Sequence, residues 1–188
     1  MGKFVSRGGE KLEGALAHFP IQVSGRICLD VGASTGGFTD CLLQAGARSV
    51  WAVDVGYGLL DSKLRNDPRV HLIERTNFRF FEVSRLAEKP ELAVIDVSFI
   101  SLAKILPKIA EALAPDGDIL ALVKPQFEGT PKEVPGGFVK DEATRQMILG
   151  RVLQQVQEAG FQLKGTSDSV LKGRKGNQEC FYWLKNPL

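Results

Sequence analysis

Two charged residues stand directly after strongly apolar stretches of the sequence, where an unpaired charge is costly. Asp96 follows the stretch LAVI, and Lys124 follows ILALV. A carboxylate at the end of a buried strand has to meet a cation or a ligand. Because neighbouring parallel strands end at the same edge of a sheet, we expect these two side chains to meet there. They form either a structural ion pair or part of a reactive site, and both interpretations stay open at this point.

Two other charged residues lie beside apolar segments. Glu179 opens the stretch ECFYWL directly after a basic turn, and Lys11 lies in the expected first turn of an N-terminal helix. Taken singly, Glu179 is equally compatible with an ordinary surface position.

A glycine-rich turn, LDVGASTGGFTD, follows the first apolar stretch. Its spacing, G-x-x-x-G-G, departs from the G-x-G-x-x-G pattern of dinucleotide-binding folds. Asp54 ends the next apolar stretch, where a carboxylate can accept hydrogen bonds from ribose hydroxyls. Asp30 precedes the turn, where it can face the positively charged amino acid part of a ligand that carries no phosphates. Together they favour S-adenosylmethionine over a dinucleotide, and the alternative is a tight strand-to-helix turn without a ligand.

The elements that position these residues follow an alternating strand and helix pattern. Five apolar stretches suit buried parallel strands, at residues 26–31, 49–55, 70–74, 92–99 and 118–124. Apolar residues at three- and four-residue steps predict helices at 38–45, 78–85, 102–113 and 141–159. Two more strands, 161–170 and 179–185, flank a turn-rich segment and can pair as an antiparallel hairpin. The pattern predicts an α/β fold with a seven-stranded, mostly parallel sheet, helices on both faces and an antiparallel last strand.

Two segments outside this pattern are candidates for binding. Residues 125–140 form a long irregular connection with three prolines and three glycines, as in a lid or binding loop. Within it, Phe127 and Phe138 are candidates for base stacking or lid closure. At the N-terminus, Gly8 and Gly9 precede an amphipathic helix.

Composition bounds the class of protein. The 188 residues suit one domain, with residues 1–20 as an N-terminal segment that carries Lys11, and the net charge is +2. The sequence contains neither an apolar run long enough to span a membrane nor a secretory h-region. The three cysteines are far apart, so we expect free thiols in the cytoplasm and no metal site. Basic residues cluster near both ends, and a solvated surface is the simplest interpretation of such clusters taken alone.

Seven motifs taken together are characteristic of one family. They are SRGGEKLEGAL, CLDVGASTGGFTDCLLQAGA, VWAVDVGYGLL, LIERTNFR, DVSFISL, LVKPQFE and GNQECF. In order and spacing this sequence resembles the TlyA-type proteins, a branch of the FtsJ-like methyltransferases. The resemblance implies a Rossmann-like fold, S-adenosylmethionine as the methyl donor, and methylation of ribose 2′-hydroxyls of ribosomal RNA, on cytidines of 16S and 23S rRNA.

The resemblance also assigns site residues. The catalytic set of the FtsJ-like family consists of a lysine, an aspartate, a second lysine and a glutamate. In this sequence these four fall on Lys11, Asp96, Lys124 and Glu179. The implied cofactor positions are Gly32, Gly36, Gly37 and Phe38 in the turn, Asp54 at the ribose and Asn77 near the adenine. We add Asp30, Ala33, Ser34 and Asp96 as further candidates for cofactor binding. Where FtsJ-like proteins often have Pro-Gly-Gly-Trp, this sequence has Thr-Gly-Gly-Phe, which changes only the aromatic edge of the turn. TlyA-type chains usually begin with a small RNA-binding domain, and this sequence starts just before the SRGG motif, so we expect that domain to be lacking.

These assignments lead to a mechanistic expectation. A ribose hydroxyl is a weak nucleophile, so methyl transfer needs in-line positioning and a base. We expect Lys124 to be the base, Asp96 and Glu179 to orient the ammonium groups, and Lys11 and Glu179 to position the hydroxyl and the phosphate backbone. The two basic clusters would then contact RNA phosphates at the mouth of the site; they consist of Lys3, Arg7, Lys172, Arg174 and Lys175.

Three alternative functions remain, and the oligomeric state is left open. One is methylation of a base or protein nitrogen, since Asp-Val-Ser-Phe loosely resembles the D-P-P-[YF] motif, although it lacks the prolines. Another is a non-catalytic RNA or ribosome binder with the same fold. The third is a haemolysin-like, membrane-active protein, because many relatives are called haemolysins.

Overall fold

The computed structural model describes residues 2–188, apart from the side chain of Arg174. Seven strands form one sheet in the order β3-β2-β1-β4-β5-β7-β6. The strands are β1 (Ile27–Val31), β2 (Ser49–Val53), β3 (Val70–Ile73), β4 (Leu92–Ile95), β5 (Asp118–Val123), β6 (Gln162–Asp168) and β7 (Cys180–Lys185).

Strand direction confirms the predicted fold class. β1 to β5 pair in parallel, and β7 runs antiparallel to both of its neighbours, β5 and β6. The strand order reverses between β1 and β4, which creates the crevice where α/β sheets bind ligands. This is the Rossmann-like sheet that the sequence pattern predicts.

Six α-helices accompany the sheet. They are α1 (Arg7–His18), α2 (Gly37–Gln44), α3 (Ser62–Arg65), α4 (Leu106–Ala112), α5 (Pro125–Glu128) and α6 (Glu142–Glu158). Leu12 of α1 and Leu42 of α2 pack on one face of the sheet, while Ile109 of α4 and Val152 of α6 pack on the other. The core therefore lies on both faces, as the nearly continuous burial of β1, β4 and β5 requires.

The two long helices differ in how well the sequence located their ends. α6 begins after Asp141, whose side chain accepts a hydrogen bond from the Thr144 amide at 2.8 Å, and Gly160 follows its end with a φ of 89°, as predicted. α1 begins at Arg7, so it includes Gly8 and Gly9 instead of following them. Lys11 consequently lies in its second turn and not in its first.

Three other predicted elements were wrong in detail. Residues 78–85 form two short 3₁₀ turns and not one helix, because Phe81 adopts an extended conformation where it stacks on Phe78 at 5.0 Å. Residues 102–113 divide into a 3₁₀ turn and α4, since the helix restarts at Leu106 with a proline in its first turn. Residues 125–140 contain α5 and a further 3₁₀ turn, so this connection is less irregular than expected.

Candidate active site

A cleft of about 510 Å³ opens at the carboxyl ends of β1 and β4. It is lined by Ser6, Arg7, Gly8, Lys11, Gly32, Ala33, Ser34, Thr35, Gly37, Phe38, Asp96, Lys172 and Gly173. The lining thus combines the glycine turn, the start of α1, the end of β4 and the segment before β7. Of the four residues implied as catalytic, Lys11 and Asp96 line the cleft directly.

The glycine turn approaches the neighbouring backbone too closely for side chains. Gly32 has a φ of 87°, and a Cβ there would collide with the backbone oxygen of Asp96. Gly36 caps α2 with a φ of 101°, a conformation that favours glycine. Gly32 therefore brings the turn against the end of β4, where Asp96 is located, while Gly36 packs against Leu64 and Leu60.

The third glycine of the turn lets α1 reach the site. A Cβ at Gly37 would collide with Ser6 Oγ and would lie 2.8 Å from the backbone nitrogen of Gly9. This close approach packs the first turn of α1 against the start of α2. Lys11, in the next turn of α1, lines the cleft.

Asp54 already organises the backbone on the other side of the turn. Its carboxylate accepts hydrogen bonds from the amides of Ser34, at 2.8 Å, and Gly56, at 2.6 Å. A carboxylate has about four acceptor positions, so further donors such as ribose hydroxyls can still bind. Its location at the end of β2 agrees with the role that the resemblance implies.

Asp30 is buried beneath the turn and does not line the cleft. Thr39 donates a hydrogen bond to one carboxyl oxygen at 2.7 Å, and no described residue bonds the other oxygen. Desolvation by burial raises the pKa of Asp30 to about 7, and the nearby Asp96 and Asp54 add to the increase. Its contact with a cofactor stays a prediction.

Asn77 also lies outside the cleft lining. Its side chain accepts a hydrogen bond from the Arg79 amide at 3.1 Å and begins the first 3₁₀ turn after β3. Its role at the adenine is likewise still a prediction.

The first ion pair of the site joins the ends of β4 and β5. Lys124 Nζ lies 2.5 Å from Asp96 Oδ1, and it donates a hydrogen bond to Ser98 Oγ at 3.2 Å. Apart from this ion-pair contact, no described donor bonds Oδ1. The predicted meeting of the two strand ends is present, and the pair borders the cleft through Asp96.

The second ion pair joins α1 to the start of β7. Lys11 Nζ lies 2.5 Å from Glu179 Oε2, and both side chains are nearly excluded from solvent. Because Val123 pairs with Cys180 in the antiparallel register, the residues just beyond them, Lys124 and Glu179, leave the sheet at the same edge. Strand pairing therefore places Lys124 and Glu179, which are far apart in the sequence, at the same edge of the sheet.

Sequence reasoning missed three residues that contact the two ion pairs, and also Ser6, Gly8 and Thr35 of the cleft lining. Gln126 Nε2 donates a hydrogen bond to Glu179 Oε1 at 2.9 Å. Gly173 lies against the same carboxylate, and a Cβ there would collide with Oε1. Ser98 is the partner of Lys124. The available signal was their proximity in sequence to Lys124, Glu179 and Asp96, but their contacts depend on the strand register.

An exposed aromatic residue borders the Asp96–Lys124 pair. Phe99 is 87% exposed, has a φ of 63°, and its ring centroid lies 4.6 Å from that of Phe127. A left-handed conformation in a non-glycine residue stores strain, and such residues cluster at functional sites. The sequence pattern placed Phe99 inside a strand, whereas β4 ends at Ile95. Phe138, the other loop aromatic residue, is 45% exposed.

Only part of the predicted basic surface faces the cleft. Arg7 and Lys172 line it, and an Arg7 guanidinium nitrogen donates to the Lys172 backbone oxygen at 3.0 Å. Lys3 forms an ion pair with Glu13 outside the cleft, and Lys175 donates to the Gly136 backbone oxygen at 2.5 Å. The side chain of Arg174 lies outside the described part of the structure.

Several further observations concern the expected class of protein. The cysteines Cys28, Cys41 and Cys180 are buried free thiols whose pKa values burial raises to about 12, 12 and 11. Within residues 2–188 no helix is long and apolar enough to cross a membrane. Among the described side chains there is also no group of three or more histidine, cysteine or acidic residues placed to hold a metal ion.

Comparison with protein-family models shows which family this chain belongs to. The family model described as FtsJ-like methyltransferase matches residues 4–186. The chain belongs to the FtsJ-like methyltransferase family. This confirms the resemblance seen in the motifs, and it identifies the chain as a methyltransferase.

Individual proteins are similar to this chain over nearly its whole length. The chain is 50% identical, over 97% of its length, to the 16S/23S rRNA (cytidine-2′-O)-methyltransferase TlyA of Mycobacterium tuberculosis, of which it covers 68%. It is 46% identical to Hemolysin A of Brachyspira hyodysenteriae, over 94% of this chain and 75% of that one. A solved structure from Streptococcus thermophilus, described as a candidate hemolysin, has a TM-score of 0.95 at 45% identity and covers 99% of this chain, which spans 68% of that one.

Proposed function

We propose that this FtsJ-like methyltransferase transfers a methyl group from S-adenosylmethionine to a ribose 2′-hydroxyl of ribosomal RNA. The observation that carries the proposal is the convergence of two lysine–carboxylate ion pairs, Lys124–Asp96 and Lys11–Glu179, at one cleft beside a glycine turn. A cytidine in 16S or 23S rRNA is the acceptor named for the Mycobacterium tuberculosis relative. Such a substrate would place the protein in the cytoplasm.

The residues present suit S-adenosylmethionine. Gly32 and Gly37 contribute to the cleft lining, and Asp54, beside the turn but outside that lining, has free acceptor positions for ribose hydroxyls. Asp96 contributes a carboxylate to the same cleft, and besides its ion pair with Lys124 it has acceptor positions for a ligand. When bound, the sulfonium supplies the methyl group, which is already activated for transfer.

Lys124 is the proposed base. Its Nζ, once it has released its own proton, can accept the proton of the 2′-hydroxyl while the oxygen bonds to the methyl carbon and the carbon–sulfur bond breaks. Asp96 and Ser98 hold the amine at the end of β5, so Nζ has a defined position beside the cleft. Replacing the bulk solvent base by a positioned one typically accelerates such a step by about 10²–10⁴-fold.

Lys11 and Glu179 are proposed to position the acceptor. Their pair is buried, and Lys11 borders the cleft from α1. An ammonium group can donate to the ribose oxygens or to the adjacent phosphate, while Glu179 fixes its direction. Arg7 and Lys172 would contact further phosphates at the mouth, since both line the cleft.

Lys124→Ala tests the proposal. We expect the variant to lose methylation by about 10²–10⁴-fold, because the positioned base is gone, while the affinity for S-adenosylmethionine changes less than about twofold. Transfer of labelled methyl to separated ribosomal subunits measures turnover, and mass spectrometry of the nucleosides locates the methyl group.

Lys108→Ala is the matched control, since Lys108 pairs with Glu111 on the surface of α4. It should retain full activity. Normal turnover by Lys124→Ala would contradict the assignment of the base, and a methyl group on a base instead of the ribose would contradict the proposed reaction.

A further inference from the structure

Gln126 contacts the buried end of the proposed catalytic set from a separate helix. It lies in α5, two residues after Lys124, and its Nε2 donates to Glu179 Oε1 at 2.9 Å. Glu179 Oε2 is the oxygen that pairs with Lys11 at 2.5 Å. One carboxylate therefore connects the amide of Gln126 to the ammonium of Lys11, with a separate oxygen for each.

The environment leaves Glu179 little freedom. Glu179 is 2% exposed, and Gly173 packs so closely against Oε1 that a Cβ has no space. Rotating the Gln126 amide would turn its oxygen towards the carboxylate and place two acceptors in contact. The Gln126 side chain is thus held in the one orientation in which it donates to Glu179.

That orientation has an energetic cost. Gln126 Oε1 is buried, and no described group donates a hydrogen bond to it. An unpaired buried acceptor is destabilising, so a residue that served packing alone would be better replaced by an apolar one. The amide of Gln126 therefore has a function beyond packing, and the hydrogen bond that it donates to Glu179 indicates which one.

We propose that Gln126 is a positioning residue for the methyl transfer. By donating to Glu179 Oε1, it fixes the carboxylate so that Oε2 directs the Lys11 ammonium into the cleft. This role rests on the proposed function, because Lys11 positions the acceptor in that reaction. Gln126 itself touches neither the methyl donor nor the acceptor; it acts through Glu179 and Lys11.

Two substitutions separate this role from simple packing. Gln126→Met keeps the shape and removes the donor, so kcat should fall about tenfold or more at every pH, with the affinity for S-adenosylmethionine unchanged. Gln126→Glu places a second carboxyl group against Glu179, and such a pair tends to share one proton. In its protonated form the new carboxyl can donate as the amide does.

The pH profile therefore carries the decisive signature. The kcat of Gln126→Glu relative to wild type should rise as the pH is lowered from about 8.5 to 6, whereas the ratio for Gln126→Met should stay flat. Gln154, which donates to Glu158 at 2.8 Å on the exposed face of α6, provides matched controls. Gln154→Met and Gln154→Glu should retain wild-type activity and a wild-type pH profile.

The outcomes distinguish the two proposals. Wild-type kcat in Gln126→Met, or equal and pH-independent losses in both Gln126 variants, would overturn the positioning role while the reaction itself remained. A wild-type protein that methylates ribosomal RNA on a base would overturn the proposed function, and the role of Gln126 in it would fall as well.

Discussion

At the scale of single residues, the site depends on a side chain that is absent. Gly173 has an ordinary backbone conformation, with a φ of −69°, so its glycine is not required by the turn. It is required by space, because a Cβ would collide with Glu179 Oε1. A methyl group at this position therefore acts on the orientation of Glu179 and not on the backbone.

Gly173→Ala should lower kcat by roughly tenfold, the effect of about 1.4 kcal/mol on the barrier, because Glu179 has to move away from Lys11 and Gln126. Turnover with ribosomal subunits measures it. Gly150→Ala is the control: it lies within α6 with open space at the Cβ, so it should retain activity and stabilise the protein by about 1 kcal/mol. Equal kcat values in the two variants would contradict this account.

The residue types of the site were largely accessible from the sequence, whereas their contacts were not. Asp96 and Lys124 could be paired from the residues themselves, because each follows a buried apolar strand. Lys11 and Glu179 needed the resemblance to a family, since neither stands out alone. Gln126 and Gly173 could not be found, because their contact exists only once the β5–β7 register brings position 179 beside α5.

At the scale of elements, β1 contains a buried carboxyl group just before its connection to α2. Asp30 ends in a fully buried position, where its only described hydrogen bond comes from Thr39 of α2. Burial raises its pKa from 3.8 to about 7. The folded protein therefore binds this proton more tightly than the unfolded chain does.

This difference predicts a pH dependence of stability. Between about pH 4 and 7 the folded state holds a proton that the unfolded state has lost, so the free energy of unfolding falls as the pH rises through this window. Asp30→Asn lacks the titrating group and should lack this decline. Urea denaturation at pH 5 and pH 8 should show wild type losing a few kcal/mol relative to the variant, since one pKa unit corresponds to about 1.4 kcal/mol. Parallel curves for the two proteins would exclude the raised pKa.

Elements with a strong local pattern were predicted well, and those that depend on tertiary contacts were not. The apolar strands and α6, with its Asp141 cap, were located to within a few residues. The strand that was expected to continue to Phe99 ends at Ile95, because the chain there turns to form the cleft. The segment at 78–85 is interrupted because Phe81 adopts an extended conformation, which periodicity does not reveal.

At the scale of the whole molecule, a net charge of +2 is distributed unevenly. Arg7 and Lys172 line the cleft, whereas Lys3 is paired with Glu13 away from it. If RNA phosphates bind at the mouth of the cleft, Arg7 and Lys172 contribute to counterion release and Lys3 does not.

The salt dependence of RNA affinity should therefore separate these lysines and arginines. The slope of log K against log salt should become shallower by about 0.7–0.9 for each phosphate contact removed, so the double variant Arg7→Ala, Lys172→Ala should lose about 1.4–1.8. Lys3→Ala should leave the slope as it is. Binding of ribosomal RNA titrated at several salt concentrations gives the slopes, and an unchanged slope in the double variant would rule out this part of the interface.

The location of Glu179 depends on the register of β7 and not on the length of the turn before it. Glu179 owes its location to the pairing of Cys180 with Val123, and the segment between β6 and β7 leads to it from outside the sheet. Residues added at the tip of that hairpin leave this pairing intact, whereas one residue added or lost within β7 turns every following side chain to the opposite face. Among related sequences, insertions and deletions should therefore be counter-selected within β7, and also beside Lys172 and Gly173, which line the cleft from the segment before it.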